Sequence, residues 1–227
     1  MIKKLLCVVS VLLCFSFFSN SISSEEANSV FSKGSAAEKK IALTFDDGPH
    51  PRYTKKILSI LEKYNIKATF FVIGVNIQNY PQELKKIYES GHEIGNHSYD
   101  HHSTLGLNKE ELCKEIETCE ELIYNSIGTK PTLFRPPQGK FDEMLTQITA
   151  KKGYSVILWS IDTRDWEHAS PSNIAETVIK NISGGDIILM HDYVSGKNTT
   201  CDALEIIIPA LQEKGYEFVT VSELLKR

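Results

Sequence analysis

The sequence predicts an α/β fold in which parallel strands form a barrel, either closed or incomplete. Apolar, strand-like runs alternate with amphipathic helical stretches about seven times between residues 39 and 227, a pattern typical of parallel strands joined by right-handed crossovers. No glycine-rich phosphate loop follows the first strand, which argues against a nucleotide-binding sheet. Polar residues cluster directly after the strands, where α/β barrels carry their chemistry.

Each strand–helix unit is predicted from a change in hydrophobic period. Residues 39–45 form an apolar run of strand length, and residues 54–64 place apolar side chains on one helical face and charged ones on the other. Asn108, followed three residues later by Glu111, resembles a capping pair at the start of a long helix. Further strands are predicted over residues 67–73, 93–94, 132–134, 154–159, 186–190 and 217–219, and helices over 80–90, 108–127, 141–152, 171–182 and 202–214, with a short terminal helix.

The first 24 residues differ in composition from the rest of the chain. Lys3 and Lys4 precede an apolar run and then a serine-rich stretch, the order typical of a secretory signal peptide. The run is shorter than the roughly 20 apolar residues of a membrane-spanning helix, although an uncleaved anchor, and with it membrane association, stays open. Residues 25–38 are polar and predict a flexible linker to a folded domain at 39–227. These features predict a secreted or cell-envelope protein.

Charge and cysteine content exclude several classes of function. The formal net charge of −4 becomes −6 without the two lysines of residues 1–24, and an acidic chain without a basic stripe argues against nucleic acid as a partner. Cys113, Cys119 and Cys201 remain beyond that segment. An odd number of cysteines does not predict a disulfide framework. Cys113 and Cys119 lie six apart on a predicted helix, hence on different faces. We expect a monomer.

Polar side chains follow at least five of the predicted strands. The first strand ends in the adjacent carboxylates Asp46 and Asp47, before a Gly-Pro turn that by itself is a common surface feature. Because the carboxyl ends of parallel strands meet on one face of the fold, the other polar groups should converge there too. These groups are His97, Asp100, His101, Arg135, Asp162, Asp165, Trp166 and His191.

The spacing of two histidines points to a metal ion. His97 and His101 lie four residues apart, which on one helical turn would place both imidazoles on the same side. A carboxylate from another strand would complete a set of three ligands and leave positions open for water and substrate, as in catalytic sites. Oxygen and imidazole ligands suit zinc first, and cobalt or nickel less commonly. His50 and His102 adjoin these groups and are predicted at the rim of the site.

Five short motifs, in order along the chain, resemble those of the polysaccharide deacetylases, the carbohydrate esterase group (family 4) that shares the NodB homology domain. The resemblance extends from about residue 39 to residue 225. It implies a distorted (β/α) barrel of about seven parallel strands and the metal-assisted removal of an acetyl group from an N-acetylated sugar. The motifs are Thr44–Pro49, His97–His101, Arg135–Pro137, Asp162–Trp166 and Leu189–His191.

The resemblance also implies a role for each matching residue. One divalent metal ion would be held beside a separate proton acceptor and a separate proton donor, in a site that takes a glycan. By position, the metal ligands are Asp47, His97 and His101, the proton acceptor is Asp46, the residue that orients it is Arg135, the proton donor is His191, its partner is Asp165, and the pocket for the acetyl methyl group comprises Trp166 and Leu189.

One residue departs from the family pattern, and the substrate stays open. Gln138 stands where the family commonly has an aromatic residue, a difference that affects substrate preference more than chemistry. Peptidoglycan is the first candidate on location, with chitin oligosaccharides and an exopolysaccharide as alternatives. A related metal hydrolase of non-sugar amides is a second class, because barrels support many chemistries. A non-catalytic glycan-binding protein is a third, although binding alone requires neither Asp46 nor His191.

Overall fold

A computed structural model describes residues 30–194, 196 and 198–226 of the chain, so the predicted signal segment lies outside the described residues. Strands and helices alternate along the described chain, as the hydrophobic pattern predicted. Within this part of the chain, no helix has the length and apolar character needed to cross a lipid bilayer. The strands are β1 (Val30–Phe31), β2 (Lys40–Gly48), β3 (Thr69–Val72), β4 (Glu93–Asn96), β5 (Leu133–Phe134), β6 (Ser155–Ile157), β7 (Ile161–Asp162), β8 (Ile187–His191) and β9 (Glu217–Phe218). The helices are α1 (Tyr53–Lys63), α2 (Gly74–Asn79), α3 (Pro81–Glu89), α4 (Lys109–Ile127), α5 (Glu143–Lys151), α6 (Pro171–Asn181), α7 (Thr200–Glu213) and α8 (Val221–Leu225).

The strands form one sheet in the order β1-β6-β5-β4-β3-β2-β8-β7, and β9 pairs with the start of β2. Every pairing between these strands is parallel. The sheet is a distorted, incomplete barrel, so the predicted fold class is confirmed. More strands are present than the seven or so predicted, because the two strands at the ends of the order, β1 and β7, have two residues each and no recognisable period.

The sheet begins earlier in the chain than the predicted boundary at residue 39. Val30 and Phe31 pair in parallel with Val156 and Ile157 of β6. Lys33 then forms an ion pair of 2.7 Å with Asp186. The prediction of a flexible linker is therefore wrong for these residues, because backbone hydrogen bonds and a charge pair that are distant in sequence hold them against the sheet.

Strand β2 lies in the middle of the sheet and its alternation separates two environments. Ile41, Leu43 and Phe45 point into the large apolar cluster that the helices cover. Ala42 points the other way, into a smaller cluster inside the barrel. Because side chains alternate along a strand, Asp46 lies on the same inner face as Ala42. The strand therefore carries its first carboxylate to the inside of the barrel, at its carboxyl end.

The helix boundaries follow local signals. The Asn108 side chain accepts hydrogen bonds from the backbone N–H groups of Glu110 and Glu111, and the Glu111 side chain accepts one from the Asn108 backbone, which confirms the predicted capping pair. Gly128 ends the same helix in the left-handed conformation, with φ of 72°. Helix α4 then packs on α2, α3 and β4, so its caps position the elements behind the histidine motif.

Candidate active site

A cleft opens at the carboxyl ends of the strands and contains most of the predicted site residues. Its volume is about 480 Å³, within the usual size of small-ligand sites. Two further predicted residues, Arg135 and Asp165, are fully buried behind its wall. The lining residues are Asp46, Asp47, His97, His101, Gln138, Trp159, Asp162, Trp166, Leu189 and His191.

The backbone register places two candidate proton-transfer groups side by side. Strands β2 and β8 are neighbours, and Asp46 is the register partner of His191. Adjacent strands are separated by about 4.8 Å, so both side chains reach the same part of the cleft. The next backbone contact, from the Asp192 N–H to the Asp46 carbonyl oxygen at 3.2 Å, continues the pairing beyond the strand end.

The candidate metal ligands lie on backbone that leaves regular structure. Asp47 has φ of 73° and His101 has φ of 64°, both in the left-handed region that non-glycine residues rarely adopt. The chain from His97 to His101 is a loop after β4 and not a helix. The prediction of a helical turn is therefore wrong, although the two imidazoles still approach each other, with ring centroids 4.9 Å apart.

Asp47, His97 and His101 form a three-ligand cluster of the type that holds a metal ion. One ligand atom from each residue lies within 4.8 Å of the other two. The Asp47 Oδ1 atom is 3.7 Å from His97 Nε2 and 3.4 Å from His101 Nε2, and it is buried without a hydrogen-bond donor among the described residues. A buried oxygen without a donor is costly, and a cation would satisfy it. The donor set therefore fits a divalent ion of the zinc type.

The orientation of His97 makes it suited to binding a metal. Its Nδ1 donates a hydrogen bond of 2.6 Å to the carbonyl oxygen of Arg135, which leaves Nε2 as the acceptor that faces Asp46 and Asp47. This second contact fixes the tautomer, as is usual for metal-bound histidine. Burial lowers the pKa of His97 more than the neighbouring carboxylates raise it. The imidazole is therefore neutral at pH 7, the form that binds metals.

Arg135 holds Asp46 through its buried guanidinium. The Nη1 atom donates to Asp46 Oδ1 and to Thr44 Oγ1, both at 2.7 Å. The Nε and Nη2 atoms donate to the carbonyl oxygens of Ile157 and Leu158. Burial lowers the pKa of Arg135 from its ordinary value, and the Asp46 carboxylate opposes that change. One carboxylate oxygen of Asp46 is thus held, while Oδ2 faces the histidine side of the cleft.

An aromatic ring and a glycine support the arginine. The Arg135 guanidinium lies over the Phe71 ring, 4.0 Å from its centroid, a contact that favours the buried charge. A Cβ atom on Gly95 would approach the Phe71 ring within 2.4 Å. The absence of a side chain at position 95, on the adjacent strand β4, therefore allows the ring to occupy its place under Arg135.

His191 is bonded on the side away from the cleft to Asp165. The Asp165 carboxylate accepts hydrogen bonds from His191 Nδ1 at 2.7 Å, from the His191 backbone N–H at 2.8 Å and from Thr200 Oγ1 at 2.7 Å. Burial by itself would lower the pKa of His191, but the contact with Asp165, together with the charges of Asp46 and Asp47, outweighs it and raises the pKa to about 9. The imidazole is therefore protonated at neutral pH.

The cleft also has an apolar side, which includes one residue that the sequence reasoning missed. Trp166 and Leu189 line it as predicted, and Trp159 lines it as well. Trp159 lies just after β6, at the end of the strand predicted over residues 154–159. An aromatic residue at the carboxyl end of a strand is a signal that could have identified it. Gln138 lies at the rim, where it has φ of 58° and its Oε1 accepts a hydrogen bond of 2.8 Å from Lys140 Nζ.

Asp192 packs behind the strand end that carries the two carboxylates. Its side chain is fully buried, and Oδ2 accepts a hydrogen bond of 2.5 Å from Thr54 Oγ1. Oδ1 has no hydrogen-bond partner in the described part of the chain. A Cβ atom on Gly48 would come within 2.1 Å of this carboxylate, so only glycine permits the contact. Burial raises the pKa of Asp192 to about 7.

Comparison with known sequences gives one family match and many relatives. The model of the polysaccharide deacetylase family matches residues 33–157. A peptidoglycan-N-acetylglucosamine deacetylase of Bacillus cereus is 41% identical over 191 residues, which cover 83% of this chain and 89% of that protein. The similarity to this relative therefore covers more of the chain than the part matched by the family model.

Solved structures share the fold and the sequence pattern. The Bc1960 peptidoglycan N-acetylglucosamine deacetylase, in complex with an N-oxidanyl-benzamide compound, superposes with a TM-score of 0.86 at 36% identity, covering 89% of this chain and 94% of that one. A family 4 acetyl xylan esterase from Clostridium thermocellum, in complex with a cobalt ion, has a TM-score of 0.76 at 36% identity, covering 82% and 90% of the two chains.

Proposed function

Because this chain belongs to the polysaccharide deacetylase family, we propose that it is a metal-dependent hydrolase that removes N-acetyl groups from N-acetylglucosamine residues of peptidoglycan. Such an enzyme is a hydrolase of carbon–nitrogen bonds other than peptide bonds. The observation that supports the proposal most directly is the register pairing of Asp46 with His191 beside the Asp47, His97 and His101 cluster. A proton acceptor and a proton donor on neighbouring strands are the two groups that amide hydrolysis requires.

Asp47, His97 and His101 would hold one divalent ion, with zinc as the first candidate. When bound, such an ion polarises a carbonyl oxygen and lowers the pKa of a coordinated water. The cobalt ion in the related esterase supports the assignment of a metal site to this family. The identity of the metal bound by this chain is a matter for direct measurement.

Asp46 would accept a proton from the attacking water. Arg135 donates to Oδ1 of this carboxylate and to Thr44 Oγ1, so that the carboxylate has one orientation and presents Oδ2 to the cleft. The water oxygen then forms a bond to the acetyl carbon as its proton passes to Asp46. A fixed carboxylate avoids the cost of reorganisation at the moment of reaction.

His191 would donate a proton to the sugar nitrogen as the bond between that nitrogen and the acetyl carbon breaks. Its Nδ1 is bonded to Asp165, so the proton that leaves is the one on Nε2. Because Asp165 keeps the imidazole charged at neutral pH, the donor is ready before the substrate binds. The products are acetate and a free amine on the sugar. The indole of Trp166 and the side chain of Leu189 would contact the acetyl methyl group.

The assignment of peptidoglycan rests on the relatives and on the N-terminal segment. Two of the three similar proteins named above, the Bacillus cereus relative and the Bc1960 protein, are by name deacetylases of N-acetylglucosamine in peptidoglycan. A secretory signal at residues 1–24 would place the domain outside the cytoplasm, where this polymer lies. Attachment to the membrane through the same segment, and a monomeric state, remain parts of this proposal.

Acetate release from a panel of acetylated glycans tests the proposal. The panel contains peptidoglycan, chitin oligosaccharides and acetylated xylan, each with the wild type, with a chelator and after addition of zinc. We expect release from peptidoglycan that the chelator abolishes and zinc restores. Acetate release from chitin or xylan alone would show that peptidoglycan is the wrong substrate. Acetate release that the chelator does not affect would refute the proposed dependence on a metal ion.

Two variants separate the metal from the proton acceptor. His97→Ala should lose both bound metal, measured by mass spectrometry of the purified protein, and activity. Asp46→Asn should keep the metal and lose activity. His102→Ala is the matched control, because His102 is an exposed histidine in the same loop that pairs with Asp100 and lies outside the cluster. Full activity of either of the first two variants would refute the assigned roles.

A further inference from the structure

Four rings form a patch of surface beside the cleft, which we call the aromatic platform: His50, Tyr53, Tyr80 and Tyr193. The His50 imidazole stacks on Tyr193, with centroids 4.9 Å apart and planes 15° apart, and on Tyr53, with centroids 5.0 Å apart and planes 28° apart. Tyr80 meets the same imidazole edge-on at 6.3 Å. These rings come from three separate segments of the chain that converge on one histidine.

Two of the three segments are hydrogen-bonded to the strand end that carries Asp46 and Asp47, and the third, with His50 and Tyr53, follows that strand directly in the chain. The segment with Tyr193 pairs there through the Asp192 N–H, which donates to the Asp46 carbonyl oxygen. Helix α2, which ends before Tyr80, is joined to it by the Asn76 side chain, which donates to the Asp47 carbonyl oxygen at 2.7 Å. Tyr193 is two residues after the catalytic candidate His191, so their Cα atoms are at most roughly 7 Å apart.

The platform offers tyrosine ring surface to the solvent, and the Arg52 guanidinium lies over the Tyr53 ring, 5.5 Å from its centroid. Tyr80 is 37% exposed and Tyr193 is 39% exposed, although both rings pack on His50. The His50 Nδ1 accepts hydrogen bonds from the backbone N–H groups of Arg52 and Tyr53, which fixes the ring in place. Burial and the nearby Arg52 charge lower the pKa of His50, so the imidazole is neutral at pH 7. A neutral, exposed aromatic surface beside a cleft is typical of ligand binding.

We propose that the aromatic platform is a subsite for a pyranose ring next to the reacting sugar in the same N-acetylated glycan chain. The inference rests on the proposed function, because it assumes that the reacting sugar occupies the cleft. A polymeric substrate must continue past the cleft, and Tyr193 follows His191 by only two residues of backbone. Pyranose rings present C–H groups on their faces, which pack well against tyrosine rings and need no charged partner.

Loss of one stacking ring should have a measurable effect on long substrates. Burial of about 50 Å² of ring surface at about 25 cal/mol per Å² corresponds to about a tenfold change in affinity. We therefore expect the ratio of kcat/KM for a five-residue N-acetylglucosamine oligomer to that for the single sugar N-acetylglucosamine, which cannot reach the platform, to fall about tenfold in Tyr193→Ala. Tyr193→Phe should preserve the ratio, because the ring is retained. Tyr80→Ala should lower it independently.

Tyr124→Ala is the matched control, since Tyr124 is a tyrosine with 49% exposure on α4, outside the platform. This variant should leave kcat/KM unchanged for both the five-residue oligomer and the single sugar. An unchanged ratio in both Tyr193→Ala and Tyr80→Ala would refute the subsite while leaving the deacetylase assignment intact. Circular dichroism and the thermal midpoint of each variant show that a lowered ratio does not come from unfolding.

A second measurement keeps this test separate from the proposed function. If the wild type releases no acetate from any oligomer, the deacetylase proposal fails, and the platform is then tested by calorimetric titration with the five-residue oligomer. Binding that weakens about tenfold in Tyr193→Ala but not in Tyr124→Ala would support a glycan subsite without catalysis. Equal binding by the two variants, or no binding by the wild type, would refute the subsite.

Discussion

Replacement of Asp165 by asparagine should shift the alkaline limb of the pH–activity profile. The Asp165 carboxylate accepts three hydrogen bonds, two of them from His191, and is fully buried. Burial alone would lower the pKa of His191, and the contact with Asp165, together with the charges of Asp46 and Asp47, raises it to about 9. Without that negative charge, we expect the pKa to fall to about 6.5, its unperturbed value, or below.

The size of this shift follows from the two values. A fall from about 9 to about 6.5 is about 2.5 pH units, or about 3.4 kcal/mol in favour of the neutral imidazole. At pH 8 only about 3% of His191 would then be protonated. We therefore expect kcat at pH 8 to fall about thirtyfold in Asp165→Asn and to recover partly towards pH 6.

The assay is acetate release between pH 5 and pH 10, with kcat and kcat/KM determined at each pH. Asp162→Asn is the control, because Asp162 also lines the cleft and accepts a hydrogen bond from the Arg164 backbone N–H but forms no hydrogen bond or ion pair with His191 within the described part of the chain. An alkaline limb at the same pH in Asp165→Asn and the wild type would refute the role of Asp165. Circular dichroism checks that the variant is folded.

The same pair predicts a change in stability with pH. The pKa of His191 is higher in the folded chain than in the unfolded one. The stabilisation of the fold by protonated His191 is therefore fully present below about pH 6.5. The contribution is lost as the pH rises through about 9. Urea unfolding of the wild type should therefore show this loss between the two values, whereas Asp165→Asn should lack it. A loss of equal size in both proteins would contradict the assignment of the shift to this pair.

Three further predictions concern stability. Gly48→Ala should lower the free energy of unfolding by at least about 2 kcal/mol, because the added Cβ would overlap the Asp192 carboxylate. Urea denaturation measures this loss against Gly128→Ala, where the added Cβ meets no described atom within 4 Å and only the left-handed φ costs about 1 kcal/mol. In the presence of a chelator, Asp192→Asn should be more stable than the wild type above pH 7, by up to about 4 kcal/mol. The reason is that the raised pKa of Asp192 makes the folded wild type lose stability as the pH rises from about 4 to about 7. Equal stability of the two proteins at pH 8.5 would contradict this prediction. Asn108→Ala should cost about 1 kcal/mol through loss of the cap, while Asn108→Asp should not.

Local features of the sequence were enough to predict most of the secondary structure and most of the residues that line the cleft. Helix α4 carries its own start signal in Asn108 and Glu111, and the capping contacts form within four residues. Strand β2 carries Asp46 and Asp47 at its carboxyl end whatever surrounds it. Parallel strands bring such ends together, so the convergence of the polar groups follows from topology alone.

Other features depend on partners that are distant in the chain. Strand β1 consists of two residues and exists because β6 offers an unpaired edge, which no local period reveals. The loop conformation of His97–His101 is set by contacts such as those of Tyr99 and Asp100 with Glu115 on α4. A regular helix is the local expectation for that spacing, and the tertiary contacts override it.

The sequence by itself determined which side chains could take part in the chemistry, because strand periodicity and motif order place them at one face. Only the tertiary structure decided the protonation states of His97 and His191, which both face the cleft. The neutral state of His97 and the charged state of His191 arise from burial, from a backbone carbonyl and from Asp165, all of which act through space. Two identical imidazoles therefore acquire opposite protonation states because electrostatic energies depend on surroundings that folding alone assembles.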